Sequence, residues 1–273
     1  MKLPQPHLVK LLLVLLCALS LSGCDWIDNI REGFYKSEVQ VSTPKRVIER
    51  SPVERTDSKN APSDLPKSFN LDMKFFSQSP YGDWGLPYQE ACEEASLILG
   101  YYYLTGKSPD IESYHQDLLK LIEWEEVYFG QYLHTSIAET AEMGAKYFGL
   151  TEYLIIDNPT VDQIKEAVVQ GFPVLVPTSG RALGNPFFNG TEPFYHMLVV
   201  RGYDEEHFIT NDVGTRRGEN FVYPYDVLLN AIHDLVPEVF TNSEAIVKGE
   251  KRVLVIMPND DDAADEPGTA SAE

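Results

Sequence analysis

Residues 86–106, LPYQEACEEASLILGYYYLTG, form the stretch on which the interpretation of this chain depends. Four apolar side chains recur at helical spacing: Ala95, Ile98, Leu99 and Tyr102. With Gly106 as a stop signal, this spacing predicts a helix that begins at Cys92. A cysteine at a helix N-terminus lies at the positive end of the helix dipole, which favours the thiolate over the thiol. The stretch therefore predicts a helix-start cysteine that could act as a nucleophile.

Two glutamates follow that cysteine directly and work against the thiolate through their negative charge. On an ideal helix, Glu93 and Glu94 point about 100° and about 200° away from Cys92. We expect an imidazolium near Cys92 to be needed to shift the balance toward the thiolate. The alternative is that Cys92 is a buried, unreactive small hydrophobe.

Further helices are predicted downstream of the cysteine. Ser108-Pro109-Asp110 combines a capping residue with proline at the first helical position, which announces a second helix. Ser136 with Glu139, and Thr160 with Gln163, have the spacing of capping boxes and predict a third and a fourth helix.

The second half of the chain has the pattern of a sheet. Short β-branched runs are bounded by turn residues: PVLVP, HMLVVRGY, HFITND, ENFVY and KRVLVIMP. They predict antiparallel strands, interrupted by one late helix from Tyr225 to about Leu235. A further short strand is predicted in NLDMKFFSQ, near Phe69. A helical first half followed by a mostly β second half is typical of an α+β fold.

The N-terminus predicts export and lipidation. The uncharged core from Leu11 to Gly23 is about 13 residues, shorter than the ~20 that span a bilayer, and is typical of a signal peptide. Leu21-Ser22-Gly23-Cys24 resembles the bacterial lipobox, in which the cysteine after the cleavage site is lipidated. An ordinary secretory signal with a chance cysteine is the alternative. We expect a lipid-anchored protein on the extracytoplasmic face of the cell membrane.

The composition predicts one folded domain with appendages. We expect a signal peptide at 1–23, a flexible tether at 24–67, a folded domain at 68–258 and an acidic disordered tail at 259–273. The formal net charge of −20 makes nucleic acid an unfavourable partner. We find no zinc or calcium ligand spacing and no phosphate-binding glycine loop, and therefore expect no metal and no cofactor.

The cysteine count isolates Cys92. The chain has three cysteines, of which Cys17 would leave with the signal peptide and Cys24 would carry lipid. An oxidising compartment favours disulfides, but Cys92 has no partner left. The thiol is therefore either buried and inert or reactive.

One histidine is suited to serve that cysteine. His196 opens the strand HMLVVRGY, and HFITND follows after a polar turn. A hairpin centred near Asp204 would place His196 opposite Asp212, with Cβ atoms ~4.5 to 5.5 Å apart. A carboxylate at that distance can orient the imidazole as in a catalytic triad. A shift of one residue would substitute Asn211. His207 is a weaker candidate base, and a cross-strand polar pair without catalysis is the alternative.

These segments resemble a known family. FFSQSPYGDW, PYQEACEEASLILGYYYLTG, GFPVLVP and FYHMLVVRGYDEEHFITNDVG are similar to the papain-like cysteine peptidases of family thirty-nine, in the peptidase-like branch related to double-glycine leader peptidases. The resemblance covers Phe69 to Met257 and implies a papain-like fold. It implies that Cys92 is the nucleophile, His196 the base and Asp212 its orienter.

The resemblance also implies an oxyanion hole and a reaction. A glutamine upstream of the cysteine contributes to that hole, which matches Gln78, with Gln89 as the second candidate. The leader peptidases usually have Asp-Cys-Gly, whereas this chain has Ala91-Cys92-Glu93. We expect hydrolysis of a peptide or protein substrate. Transfer to another acceptor, a cell-wall amidase, and a binding lipoprotein with an idle site are the alternatives.

Overall fold

The structure is a computed structural model that describes residues 65–188 and 193–259. In this part of the chain, seven strands form one sheet in which every neighbouring pair is antiparallel. The strands are β1 (Phe69–Asn70), β2 (Tyr153–Asp157), β3 (Val174–Thr178), β4 (His196–Tyr203), β5 (His207–Asn211), β6 (Phe221–Pro224) and β7 (Arg252–Ile256). The order across the sheet is β2-β7-β3-β4-β5-β6, with β1 paired to the end of β4.

The helices precede, join and cover these strands. They are α1 (Cys92–Leu104), α2 (Ile111–Phe129), α3 (Ile137–Met143), α4 (Val161–Val169), α5 (Gly180–Leu183) and α6 (Tyr225–Ala231). Short 3-10 turns lie at Tyr88–Glu90, Pro237–Phe240 and Ser243–Lys248, and a π turn at Gly144–Phe148 extends α3. The predicted α+β fold with an antiparallel sheet is confirmed.

Helix α1 is the central helix of the core. Most of its residues are buried on every side, and it packs against β4 and β3. Its approach to the sheet is close at Gly100, where a Cβ atom would lie 2.4 Å from Cδ1 of Ile256. The predicted apolar residues Ala95, Ile98, Leu99 and Tyr102 are all buried in this core.

The predicted helix starts depended on capping. Ser136 with Glu139 and Thr160 with Gln163 both form complete capping boxes, so these two predictions are confirmed. The predicted start of α2 at Ser108 and Pro109 was wrong. The carboxylate of Asp110 accepts the Ser113 backbone N–H, which makes Asp110 the cap.

Three other element predictions need correction. The strand predicted in NLDMKFFSQ is limited to Phe69–Asn70, and the chain beyond it bonds to the Arg201 backbone and side chain instead of a ladder. The late helix ends at Ala231 because Ile232 forms a β-bridge with Thr178. Strand β2 was missed, since its half-buried residues lie on the edge of the sheet and pair only with β7.

The predicted register of the β4–β5 hairpin was also wrong. Val199 pairs with Asn211, and Tyr203 with Phe208, so His196 is not directly opposite Asp212. The register shifts by one residue at Arg201, which forms a β-bulge between Val200 and Gly202. At the bulge, the buried Arg201 guanidinium donates to the Leu71 and Met73 carbonyls, which fastens residues 71–73 to the sheet.

The predictions for the two ends of the chain concern residues that the structure largely does not describe. The predicted signal peptide, Cys24, nearly all of the tether and the acidic tail lie outside the described ranges. Within the described ranges, no helix is both long and apolar enough to cross a bilayer.

Candidate active site

Cys92 is the first residue of α1 and is 4% exposed. Its Sγ accepts a hydrogen bond from the Met197 backbone N–H at 3.4 Å and donates one to Oε2 of Glu93 at 2.9 Å. No disulfide involves it. The thiol therefore lies between the N-terminus of α1 and the start of β4.

His196 and Asp212 form a buried pair beside that thiol. Nε2 of His196 lies 2.8 Å from Oδ1 of Asp212, and the two residues are 1% and 0% exposed. The two side chains meet although they are not paired in the β4–β5 ladder, because β5 ends at Asn211 and Asp212 lies beyond it. The chain then turns, with the Asp212 backbone N–H donating to the Gly218 carbonyl, and directs the carboxylate toward His196.

Cys92 and His196 are brought together through β4. His196 precedes Met197, whose backbone N–H contacts Sγ of Cys92. Among the described hydrogen bonds, none joins Sγ of Cys92 directly to the imidazole. Since Asp212 occupies Nε2, the nitrogen left for the thiol proton is Nδ1.

The imidazole of His196 is also confined on its other sides. The Phe188 ring packs against it edge-on with centroids 5.2 Å apart. At Gly214 a Cβ atom would lie 2.7 Å from Cε1 of His196 and 3.1 Å from Cε1 of Phe188. The ring position is therefore fixed by Asp212, Phe188 and the absence of a side chain at Gly214.

Asn211, the alternative to Asp212, and His207, the alternative to His196, have other partners. Asn211 accepts a hydrogen bond from Arg201 and donates one to the Lys74 carbonyl. His207 pairs with Asp204 at the turn of the hairpin, 3.1 Å from its Oδ1. Neither Asn211 nor His207 is described in contact with His196 or Cys92.

Glu93 and Glu94 are both buried, contrary to the usual position of glutamates. The expectation that Glu93 points away from Cys92 was wrong, because its carboxyl bridges Sγ of Cys92 and the Thr135 backbone N–H, 3.0 Å away. Burial, and next the Glu93 carboxyl, raise the pKa of the Cys92 thiol well above its ordinary value. Burial, and next Glu94, likewise raise the pKa of Glu93. The resting site therefore holds its proton on the Cys92–Glu93 pair.

Glu94 points away from Cys92, toward Glu125 on α2. Burial, and next Glu125, raise its pKa well above the ordinary value. Burial is also the main reason why the pKa of Glu125 rises to about 7. Two carboxyls in this position are accommodated by remaining protonated.

His134 is a neighbour of the site that the sequence did not single out. It is 8% exposed, with Nε2 3.4 Å from Oε2 of Glu90 and Nδ1 3.8 Å from Oε1 of Glu93. Burial lowers the pKa of His134 to about 4, so the ring is neutral at physiological pH. Its position before a helix gave no signal, because the contacts come from elements distant in sequence.

Gln78 is buried and lies next to the loop that leads into Cys92. Its Nε2 donates to the carbonyls of Tyr88 and Gln89, at 2.9 Å and 3.0 Å. Both amide protons are therefore engaged with backbone, and Oε1 has no hydrogen-bond partner. The second candidate, Gln89, is exposed and its side chain donates to Glu90.

Within 65–188 and 193–259, no group of three or more histidine, cysteine or acidic side chains is arranged to hold a metal ion.

Comparison with known proteins gives one family and two similar structures. Residues 70–234 match the Peptidase_C39 like family. A C39-like peptidase from Bacillus anthracis is 15% identical, with 71% of this chain and 99% of that chain covered and a TM-score of 0.47. Xylellain, a cysteine protease from Xylella fastidiosa, is 16% identical, with 73% and 91% covered and a TM-score of 0.40. No curated protein sequence matches this chain.

Proposed function

Because the chain belongs to the peptidase C39-like family and is a cysteine peptidase, we propose that Cys92, His196 and Asp212 form its catalytic triad. One observation carries this assignment. Consecutive residues of β4 supply the imidazole that bonds to Asp212, at 2.8 Å, and the N–H that contacts Sγ of Cys92, at 3.4 Å. A single strand therefore connects nucleophile, base and orienter.

The reaction follows from these positions. The Cys92 thiol transfers its proton to Nδ1 of His196 as Sγ forms a bond to the peptide carbonyl carbon. The His196 imidazolium then protonates the leaving amine as the carbon–nitrogen bond breaks, which leaves an acyl-enzyme. Water loses a proton to the same imidazole, attacks the acyl carbon and releases Cys92 as the thiol. Asp212 stabilises the imidazolium in both half-reactions.

The starting state of that reaction is a thiol and not a preformed ion pair. Because the pKa of Cys92 is raised, the resting enzyme holds the thiol, and the proton is transferred as Sγ attacks the substrate. The Glu93 carboxyl, 2.9 Å from Sγ, keeps the proton on this side of the site until a substrate displaces that contact.

The oxyanion hole would combine the Cys92 backbone N–H with Gln78. The first N–H groups of a helix have no intrahelical acceptor and are suited to bind a developing negative charge. Gln78 would have to exchange its bond to the Tyr88 or Gln89 carbonyl for the oxyanion. Removing one such donor typically costs about 10²–10³ in kcat.

The triad is tested by alkylation of Cys92 with iodoacetamide and by hydrolysis of a peptide library. We expect Cys92→Ala to abolish both signals and His196→Ala to lower both. His207→Ala is the matched control, because His207 also pairs with an aspartate but at the hairpin turn. If His196→Ala leaves the alkylation rate and the hydrolysis rate unchanged, the triad assignment fails.

We also propose that the protein is anchored to the membrane by a lipid on Cys24. The lipobox-like Leu21-Ser22-Gly23-Cys24 supports lipidation of Cys24 and anchoring on the extracytoplasmic face of the cell membrane. Residues 24–67 would then separate the peptidase domain from the bilayer. A peptidase held in this way acts on peptides and proteins at the membrane surface.

Membrane fractionation of two cysteine variants tests the anchor. We expect Cys24→Ser to move the protein from the membrane fraction to the soluble fraction. Cys17→Ser is the matched control, because Cys17 lies within the predicted signal peptide, and it should leave the distribution unchanged. Unaltered membrane association of Cys24→Ser would refute lipid anchoring at this residue.

A further inference from the structure

The carboxylate of Asp212 has a second set of partners on the side that faces away from His196. Its Oδ2 accepts a hydrogen bond from the Tyr223 hydroxyl at 2.6 Å and one from Nδ2 of Asn185 at 2.9 Å. Asn185 also donates to the Tyr223 hydroxyl oxygen, at 2.8 Å. The three side chains therefore form a closed polar triangle in which donors converge on one carboxylate oxygen.

This triangle complements the contacts of the other oxygen. Oδ1 of Asp212 accepts from Nε2 of His196 and from the Gly214 backbone N–H, at 2.8 Å and 3.1 Å. Four donors thus fix the plane of the carboxylate, and Asp212 is 0% exposed. No solvent is in contact with it to replace a missing donor, so each donor has a large effect on its orientation.

The two outer residues are held by elements distant from each other in the chain. Tyr223 is buried on β6, opposite Phe208 of β5. Asn185 follows α5, and its Oδ1 accepts the Phe187 backbone N–H at 2.9 Å. Asp212 itself lies beyond the end of β5, where the ladder no longer restrains it. The orientation of its carboxylate therefore depends on the donors to its two oxygens.

On the basis of the proposed triad, we propose that Tyr223 and Asn185 are positioning residues of the peptidase reaction, which orient Asp212 so that it aligns the His196 imidazole. Neither side chain is described in contact with Cys92 or with the imidazole, so both act through Asp212. Loss of the Tyr223 hydroxyl would leave Oδ2 with one donor, and the carboxylate could rotate away from the line to Nε2.

The electrostatics of the triangle agree with this assignment. Burial alone would raise the pKa of Asp212, but the facing His196 and then the Tyr223 and Asn185 hydrogen bonds keep it below its ordinary value. Burial, and next the Asp212 charge, raise the pKa of Tyr223, so its hydroxyl remains a donor at physiological pH. Of the other groups that contact the carboxylate, Asn185 and the Gly214 backbone N–H carry no charge.

The test is a double-mutant cycle on the full-length protein, read out by the iodoacetamide alkylation rate of Cys92 and by kcat and KM. Tyr223→Phe removes one hydroxyl and keeps the ring. We expect it to lower the alkylation rate and kcat about tenfold, with KM unchanged. In an Asp212→Asn background, Tyr223→Phe should have no further effect. Asn185→Ala should lower kcat in the same direction.

Tyr203→Phe is the matched control, because Tyr203 is a buried tyrosine of the same sheet whose hydroxyl donates to the Pro66 carbonyl. It should leave both rates unchanged. If Tyr223→Phe behaves like wild type while Asp212→Asn is impaired, the positioning role is refuted and the triad stands. If Tyr223→Phe lowers both rates by the same factor with and without Asp212, its role is structural and the inference also fails. If Asp212→Asn itself equals wild type, the proposed triad fails.

Discussion

Gly214→Ala would test how tightly the imidazole of His196 is confined. Gly214 is not among the described glycines with positive φ, so alanine suits its backbone. The added Cβ would lie 2.7 Å from Cε1 of His196, whereas non-bonded carbon atoms prefer ~3.5 to 4.0 Å. The ring would have to move by about 0.8 Å or more, and the 2.8 Å bond from Nε2 to Asp212 opposes that movement.

The expected loss follows from that displacement. A misplacement of about 1 Å in an active site can cost about 10²-fold in rate. We expect kcat/KM for peptide hydrolysis to fall roughly 30- to 100-fold, which corresponds to about 2 to 2.7 kcal/mol of lost transition-state stabilisation. Overpacking of this kind also lowers the free energy of unfolding, by about 1 to 3 kcal/mol.

The assay compares peptide hydrolysis and Cys92 alkylation in wild type and variant, with thermal denaturation followed by circular dichroism. Gly144→Ala is the matched control, since the nearest atoms to its Cβ would be Cδ1 of Leu97 at 3.4 Å and Cβ of Leu150 at 3.9 Å, which are ordinary contacts. It should retain full activity. A folded Gly214→Ala enzyme with a rate within about twofold of wild type would refute the confinement of His196 and its role as the base.

Three further predictions concern the carboxyls and the amide around Cys92. Burial, and next the Glu93 carboxyl, raise the pKa of Cys92. Glu93→Gln removes that carboxyl, so the alkylation pH profile should shift to lower pH. The control Glu94→Gln should shift it less, and equal shifts would contradict the role of Glu93. The pKa of Glu125 is raised to about 7, so the folded chain retains a proton that the unfolded chain releases above pH 4.5. The stabilising contribution of this proton is complete below pH 4.5 and is lost as the pH rises through 7. Glu125→Gln should therefore raise the free energy of unfolding in urea at about pH 8 by roughly 1 to 3 kcal/mol and have little effect at about pH 4, and the opposite pH trend would refute the protonated state. Gln78→Ala should lower kcat by about 10²-fold or more, and an unchanged kcat would exclude an oxyanion role.

Local physical chemistry explains most of what the sequence predicted. The apolar pattern of α1 and the capping boxes at Ser136 and Thr160 depend on residues within one or two helical turns. The β-branched runs of β3, β4 and β7 are buried strands, so hydrophobicity marks them directly. The helix start and the predicted hairpin gave the order of Cys92, His196 and Asp212, and the resemblance added the family and the candidate glutamine Gln78.

Tertiary structure decided the contacts of the site. The His196–Asp212 bond does not come from a regular hairpin register, because the Arg201 bulge shifts the ladder and the chain turns after β5. The sequence could not show this bulge, since the carbonyls that Arg201 binds at the bulge lie about 130 residues earlier in the chain. His134, Tyr223 and Asn185 became neighbours of the site for the same reason: their partners lie on separate elements, and only packing in three dimensions brings those elements together.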